Sequence, residues 1–222
     1  LESAINTMQD KKNTEVLLRI DRDDKVQEYL EYRPKHPNFR VVIGKRLAIG
    51  GSPTMNEVVR MCIGDVIVPM SDDFQFITTS WDSILLEVIE KNPKKLVFYT
   101  QDGHLDEKLA SNPIPTRKWL DLIGKFLPEK PTHFFADQWV DYVARGSEAL
   151  LYVPEIMIKH NKNQVKDKLW MEVRMGNKIL SDEAEYDTTL EERDALIKKV
   201  TSYLSNNGSA CCNARGCSCK GS

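Results

Sequence analysis

Two adjacent carboxylates, Asp72 and Asp73, stand at the end of a short apolar run, Val66-Ile67-Val68-Pro69-Met70. A run of that length reads as a buried strand. In open α/β sheets, ligands bind beyond the carboxyl ends of the strands, so acids there are well placed for chemistry. Neighbouring carboxylates repel one another unless a cation or hydrogen bonds offset the charge. A divalent metal holding a diphosphate is one solution, because hard cations prefer carboxylate and phosphate oxygens. The plainer reading is a strand ending in a turn, where Asp is a common cap or Asx-turn former.

Other reactive residues gather at the ends of other elements. Residues 15–21 read as a strand running into Asp21, Asp23 and Asp24, and residues 95–99 as one running toward Asp102, with His104 beyond. Asp137 and Asp141 stand one turn apart on a helix expected over 134–145. A carboxylate so placed can take a proton from a hydroxyl; the alternative is an ordinary solvated helix acid. Trp139, between them, reads as a core residue rather than a stacking platform. Lys45 and Arg46 lie in a Gly-bearing loop and could clamp an anion, or be solvated. Asn56 reads as a ligand contact or a helix-start hydrogen bond, and His160, at the end of an apolar stretch, as a ligand or a structural residue.

These side chains need a scaffold, and the chain is long enough to make one. It has 222 residues, 41% of them hydrophobic, which suits one large domain with a short appendage. With 31 basic and 33 acidic residues the net charge is -2, so composition gives no case for nucleic acid. No apolar run approaches the ~18 residues of a membrane helix. Leu1, Ile5 and Met8 are at helical spacing from the first residue, so an upstream strand is expected and a leader ahead of it stays open.

Strand and helix patterns then alternate. Helices are expected over 25–32, from a Thr54/Glu57 capping box, and from Trp81, with strands over 15–21, 39–43, 65–70 and 95–99. A short helix follows around Trp119, then the helix at 134–145 and an extended stretch over 149–160. Residues 161–186 read as irregular, and a capping box at Thr188-Thr189 opens a last helix to about 205. This order predicts an α/β fold with a mostly parallel sheet flanked by helices. Residues 1–205 are read as the domain and 206–222 as a disordered tail. Cys62 is a core candidate. Cys211, Cys212, Cys217 and Cys219 crowd the tail without a C-x-x-C pair, so they are read as free thiols and the domain is assigned to a reducing, cytoplasmic compartment.

The order of these features resembles the GT-A glycosyltransferases of family 2, the nucleotide-diphospho-sugar transferases. The segment "LLRIDRDD" resembles the part of the family that contacts the nucleotide base, which implies that role for Asp21 and Asp23. "GKRLAIGGSPTMNEVVRMCIGDVIVPMSDD" resembles the stretch ending in the family's DXD motif, with Arg46 and Asn56 on the donor side. The resemblance implies that Asp73 binds Mn2+ or Mg2+ and that Asp72 assists. "FFADQWVDYVARG" implies Asp137 as catalytic base of an inverting transfer, with Asp141 the alternative, and "IMIKH" implies His160 as a further metal or diphosphate ligand.

The implied activity moves a sugar from a nucleotide-diphosphate donor to an unknown acceptor hydroxyl on a Rossmann-like GT-A fold, with Asp102 and His104 toward the acceptor. The motif here is Ser-Asp-Asp, and no QxxRW-type segment follows, which argues for a single-transfer or divergent, viral-type member. Two other readings remain open: a sugar-phosphate nucleotidyltransferase, and a catalytically silent GT-A-like binding module.

Overall fold

The computed structural model of the chain describes residues 1–32, 34–47, 51–161 and 178–207. Helix α1 (Glu2–Thr7) opens it, and Trp81 anchors that helix by donating its indole N–H to the Ala4 carbonyl at 3.1 Å. Strands β1 (Val16–Asp21) and β2 (Phe39–Gly44) pair in parallel, from Val16 opposite Phe39 to Asp21 opposite Gly44. A parallel pair needs a crossover, and α2 (Val26–Glu31) lies in it. Because both strands run the same way, the acids after β1 and the basic residues after β2 emerge at one edge.

Helix α3 (Gly51–Met61) follows. Thr54 was the expected N-cap, but it lies inside this helix, and Glu57 turns to Arg19 at 3.0 Å instead of reaching back to the helix start. The apolar run 66–70 also departs from expectation. It joins no ladder: Val66 makes an isolated bridge with Thr116, and the Ile67 N–H donates to the Pro115 carbonyl at 3.0 Å. Pro69 lacks the N–H that a central strand would need. The ladder begins only after the paired acids, at β3 (Phe74–Phe76).

The main sheet has the order β3-β6-β4-β5, built from β3, β4 (Val97–Gln101), β5 (Ile114–Pro115) and β6 (Leu150–His160). β4 and β6 run in parallel, while β3 lies antiparallel to β6 with Phe74 opposite His160. The β4–β6 register jumps from Val153 to Met157, so Pro154 sits in an irregularity where its missing donor does no harm. Residues on β4 alternate between the two faces. Val97 and Tyr99 join one core with Trp119, Trp139 and Val200; Phe98 joins the other with Phe76, Trp81 and Ile158.

Helices cover both faces. α4 (Trp81–Lys91) and α1 pack on the Phe98 side. α5 (Arg117–Ile123) and α6 (Ala136–Gly146) pack on the other, where Trp139, Val140 and Val143 are wholly buried. Removing a core ring of that size costs about 3–5 kcal/mol. α7 (Lys178–Thr188) and α8 (Leu190–Asn207) follow. Part of the stretch read as irregular is therefore helical from Lys178, residues 162–177 lying outside the described ones. The last helix is present, but Thr188 and Thr189 donate to the Glu185 and Tyr186 carbonyls rather than form the expected box. Asn206 and Asn207 belong to α8 rather than to a tail, and the tail cysteines lie outside the described residues. No described helix is long and apolar enough to cross a membrane.

Candidate functional site

The edge beyond β1 and β2 carries a dense charge network. Arg19 is nearly buried (side chain 3% exposed) and pairs with Asp21 and Glu57, while its Nη2 donates to the Lys45 carbonyl at 2.6 Å. Gly44 makes room for it, since a Cβ there would lie 2.5 Å from Nη2. Arg46 reaches across from the other strand to Asp21 at 2.9 Å and to Asp23 and Asp24 at 3.0 Å each. The Arg46 bond is the main reason the Asp23 carboxyl sits below its ordinary range. The structure thus brings Asp21, Asp23 and Arg46 together as one ion-paired group.

Asn56 sits elsewhere. Buried on α3, it accepts the Phe126 and Leu127 N–H groups at 2.9 Å and donates to the Leu127 carbonyl, fixing that loop to the helix. The expected helix-start hydrogen bond is not formed, because Asn56 lies in the middle of α3 and its amide is taken by the loop at Phe126 and Leu127.

A second group forms where β3 meets β6. Asp73 immediately precedes Phe74, and Phe74 faces His160, so the register carries two residues 87 positions apart into contact. His160 Nε2 lies 2.9 Å from Asp73 Oδ2, and because a carboxylate only accepts, the ring carries its proton on Nε2 in this state. Asp73 Oδ1 is buried and makes no hydrogen bond among the described residues. Asn161 N–H donates to the Asp73 carbonyl at 2.9 Å, and Phe74 packs its ring against His160. Asp72, by contrast, is exposed.

Among the described residues, no set of three or more His, Cys, Asp and Glu side chains is grouped to hold a metal. Asp73 and His160 are two adjacent donor groups. An orphaned carboxylate oxygen beside an imidazole fits a hard cation that takes its other ligands from diphosphate and water.

On β4's side, Asp102 is buried and saturated. Its Oδ1 accepts the N–H groups of His104 and Leu105 at 2.7 Å and of Asp106 at 3.1 Å, and its Oδ2 accepts the Ser111 hydroxyl at 2.7 Å. Burial alone would raise this carboxyl, but the Ser111 bond and the backbone donors overcome it and bring it to about 2.

Asp137 and Asp141, one turn apart, are in different situations. Asp141 is buried, accepts the Ala110 N–H at 2.9 Å and holds Arg145 in two bonds. It ties α6 to the 109–111 loop. Asp137 is half-buried in the first turn of α6 and accepts its neighbour's N–H, from Gln138 at 2.8 Å. The entry to that turn puts Phe135 at φ 65°, uncommon for a bulky residue. Wholly buried Asp182, on α7, holds the entry by accepting the Phe134 N–H at 2.9 Å, with Lys178 as its counter-ion at 2.6 Å. Sequence reading missed Asp182 because it falls in the charged stretch taken as irregular; the Lys178/Asp182 spacing of four was its one available signal. Concavities of about 380 and 440 Å³ flank Arg145, and none of Asp73, His160 and Asp137 lines either.

The sequence profile of glycosyl transferase family 2 matches residues 1–146. The chain belongs to glycosyl transferase family 2. No curated protein sequence matches it. Among solved structures it is similar to S. aureus TarS 1-349 in complex with UDP, at 14% identity and a TM-score of 0.57, over 93% of this chain and 68% of that one. The complex of the same protein with UDP-GlcNAc is similar at 14% identity and a TM-score of 0.57, over 95% and 70% of the two chains. A mannosyltransferase from Pyrobaculum calidifontis, PcManGT, in complex with GDP-Man and Mn2+, gives 13% identity and a TM-score of 0.55, over 93% and 69%. At such identities the likeness is one of fold, and that fold is the Rossmann-like GT-A fold. The family 2 chain is a glycosyltransferase.

Proposed function

We propose that this glycosyltransferase takes a sugar from a nucleotide-diphosphate donor with the help of a divalent cation and passes it, with inversion, to an acceptor hydroxyl. The observation that carries this reading is the Asp73–His160 pair with its unpartnered buried Oδ1. Structural relatives bound to UDP-GlcNAc and to GDP-Man with Mn2+ support the donor class and the cation.

Asp73 and His160 would hold the cation, Mn2+ or Mg2+, and exposed Asp72 would assist through water. A bound cation supplies Lewis-acid stabilisation for the charge that builds on the departing diphosphate. For His160 to hold the cation through Nε2, the ring would carry its proton on Nδ1 instead. Asp21 and Asp23 face the nucleotide base, with Arg46 free to exchange a carboxylate for a phosphate oxygen. Asn56 acts on the donor side through the loop it fixes. Asp137 takes the proton of the acceptor hydroxyl as that oxygen attacks the anomeric carbon. Asp141 and Trp139 stay structural. The transferase unit runs through α8, to Asn207.

Calorimetric titration with UDP and with GDP, with and without manganese, tests the proposal. Manganese-dependent binding that disappears in Asp73→Asn supports it; binding indifferent to both manganese and Asp73 sinks it and favours a silent binding module. Asp137→Asn should then lower turnover of a competent donor by about 10²–10⁴-fold while nucleotide affinity holds.

A further inference from the structure

His160 is the last residue of β6, and a strand end holds a side chain in place only if its backbone is held too. On one side the β3 pairing does this. On the other, the loop 102–106 grips both of its peptide groups: the His160 N–H donates to the Asp102 carbonyl at 3.1 Å, and His104 Nε2 lies 2.8 Å from the His160 carbonyl. A carbonyl only accepts, so His104 donates from a protonated Nε2.

The loop that presents His104 has little regular structure and is held by its own carboxylates. Asp102 gathers the N–H groups of residues 104, 105 and 106 and the Ser111 hydroxyl, while Asp106 Oδ1 accepts the Asp102 and Gly103 N–H groups at 3.1 and 2.9 Å. Gly103 at φ 78° and Asp106 at φ 44° supply the left-handed turns this closure needs. With both oxygens engaged, Asp102 has little left to offer an acceptor.

We propose that His104, held by the Asp102-centred loop, is a positioning residue: it fixes the end of β6 so that His160 stays against Asp73 as a preformed pair for the cation. The inference rests on the reading of Asp73 and His160 as cation ligands. His104 touches neither cation nor substrate; it acts through the His160 backbone. Groups that orient ligands from behind are worth about 10–100-fold in metal affinity.

The test is titration of the full chain with Mn2+ in the presence of UDP or GDP, whichever the wild type binds, beside thermal melting without metal. His104→Ala should weaken Mn2+ by about tenfold while the metal-free melting temperature moves by no more than about 4 °C, as expected for one surface hydrogen bond. His104→Gln, whose amide N–H can replace the ring donor, should recover most of the affinity, and Asp102→Asn should weaken Mn2+ in the same direction. Wild-type affinity in His104→Ala, or no recovery in His104→Gln, overturns the inference. Asp73→Asn, run alongside, separates the two levels. If it loses manganese-dependent binding and His104→Ala does not, only the positioning role falls. If Asp73→Asn keeps that binding, the ligand assignment falls and the positioning role with it.

Discussion

The acids after β1 and the acid before β3 lie at comparable places, the ends of extended segments, yet their charges are balanced differently. Asp21, Asp23 and Asp24 share Arg46, and Asp21 has Arg19 as well, so each of those carboxylates has a cationic partner within the protein. Asp73 has a histidine on one oxygen and, among the described residues, nothing on the other, which is buried. Completed ion pairs stabilise a loop; an orphaned carboxylate oxygen is costly unless a ligand satisfies it. The contrast separates carboxylates held in ion pairs from one whose second oxygen has no partner among the described residues.

Five substitutions, in four comparisons, sharpen or break that contrast, and the first comparison has the largest expected effect. Asp73→Asn should reduce manganese-dependent nucleotide affinity by about a thousandfold or more, whereas Asp21→Asn should weaken nucleotide equally with and without manganese, both read by calorimetry. A manganese-specific loss in Asp21→Asn would erase the distinction. Arg19→Met leaves Asp21 and Glu57 without their buried partner and should cost about 3 kcal/mol in urea unfolding. A smaller loss would mean that Arg46 alone completes the edge.

Third, Asp102 makes stability depend on pH at the 102–106 loop. Its carboxyl sits at about 2 in the folded chain against an ordinary 3.8, so below pH 4 the unfolded state binds more protons. The stability it lends, roughly 2 kcal/mol, is present above pH 4 and lost as pH falls toward 2. Comparing urea unfolding at pH 5 and pH 2.5, the drop should be larger in wild type than in Asp102→Asn. Equal drops would show that the carboxylate is not what secures the loop. The smallest effect belongs to Arg46→Ala: its pairs are partly exposed and screened by solvent, so the urea midpoint should move less than in Arg19→Met.

Much of this arrangement was legible in the sequence. The alternation of strand and helix patterns announced the α/β class, and the acids expected where β1 and β4 end do stand there, at Asp21 and Asp102. The pairing of Asp73 with His160 was implied only by family resemblance, because no local pattern encodes contact across 87 residues through a strand of three. Other readings failed where distant partners overrode local rules. Glu57 sits at capping-box spacing from Thr54 but is taken by Arg19, 38 residues away. The run 66–70 has strand composition, but Pro69 and a lone bridge to Thr116 keep it out of the ladder. Helix α7 hid in charged composition, because its buried member, Asp182, is polar and paired.

The most direct measurement is anomalous diffraction from crystals soaked with manganese and UDP or GDP. The account expects a manganese peak within bonding distance of an Asp73 carboxylate oxygen and of His160 Nε2, with diphosphate oxygens completing the site. Nucleotide bound with manganese elsewhere, or with none at that pair, would contradict it.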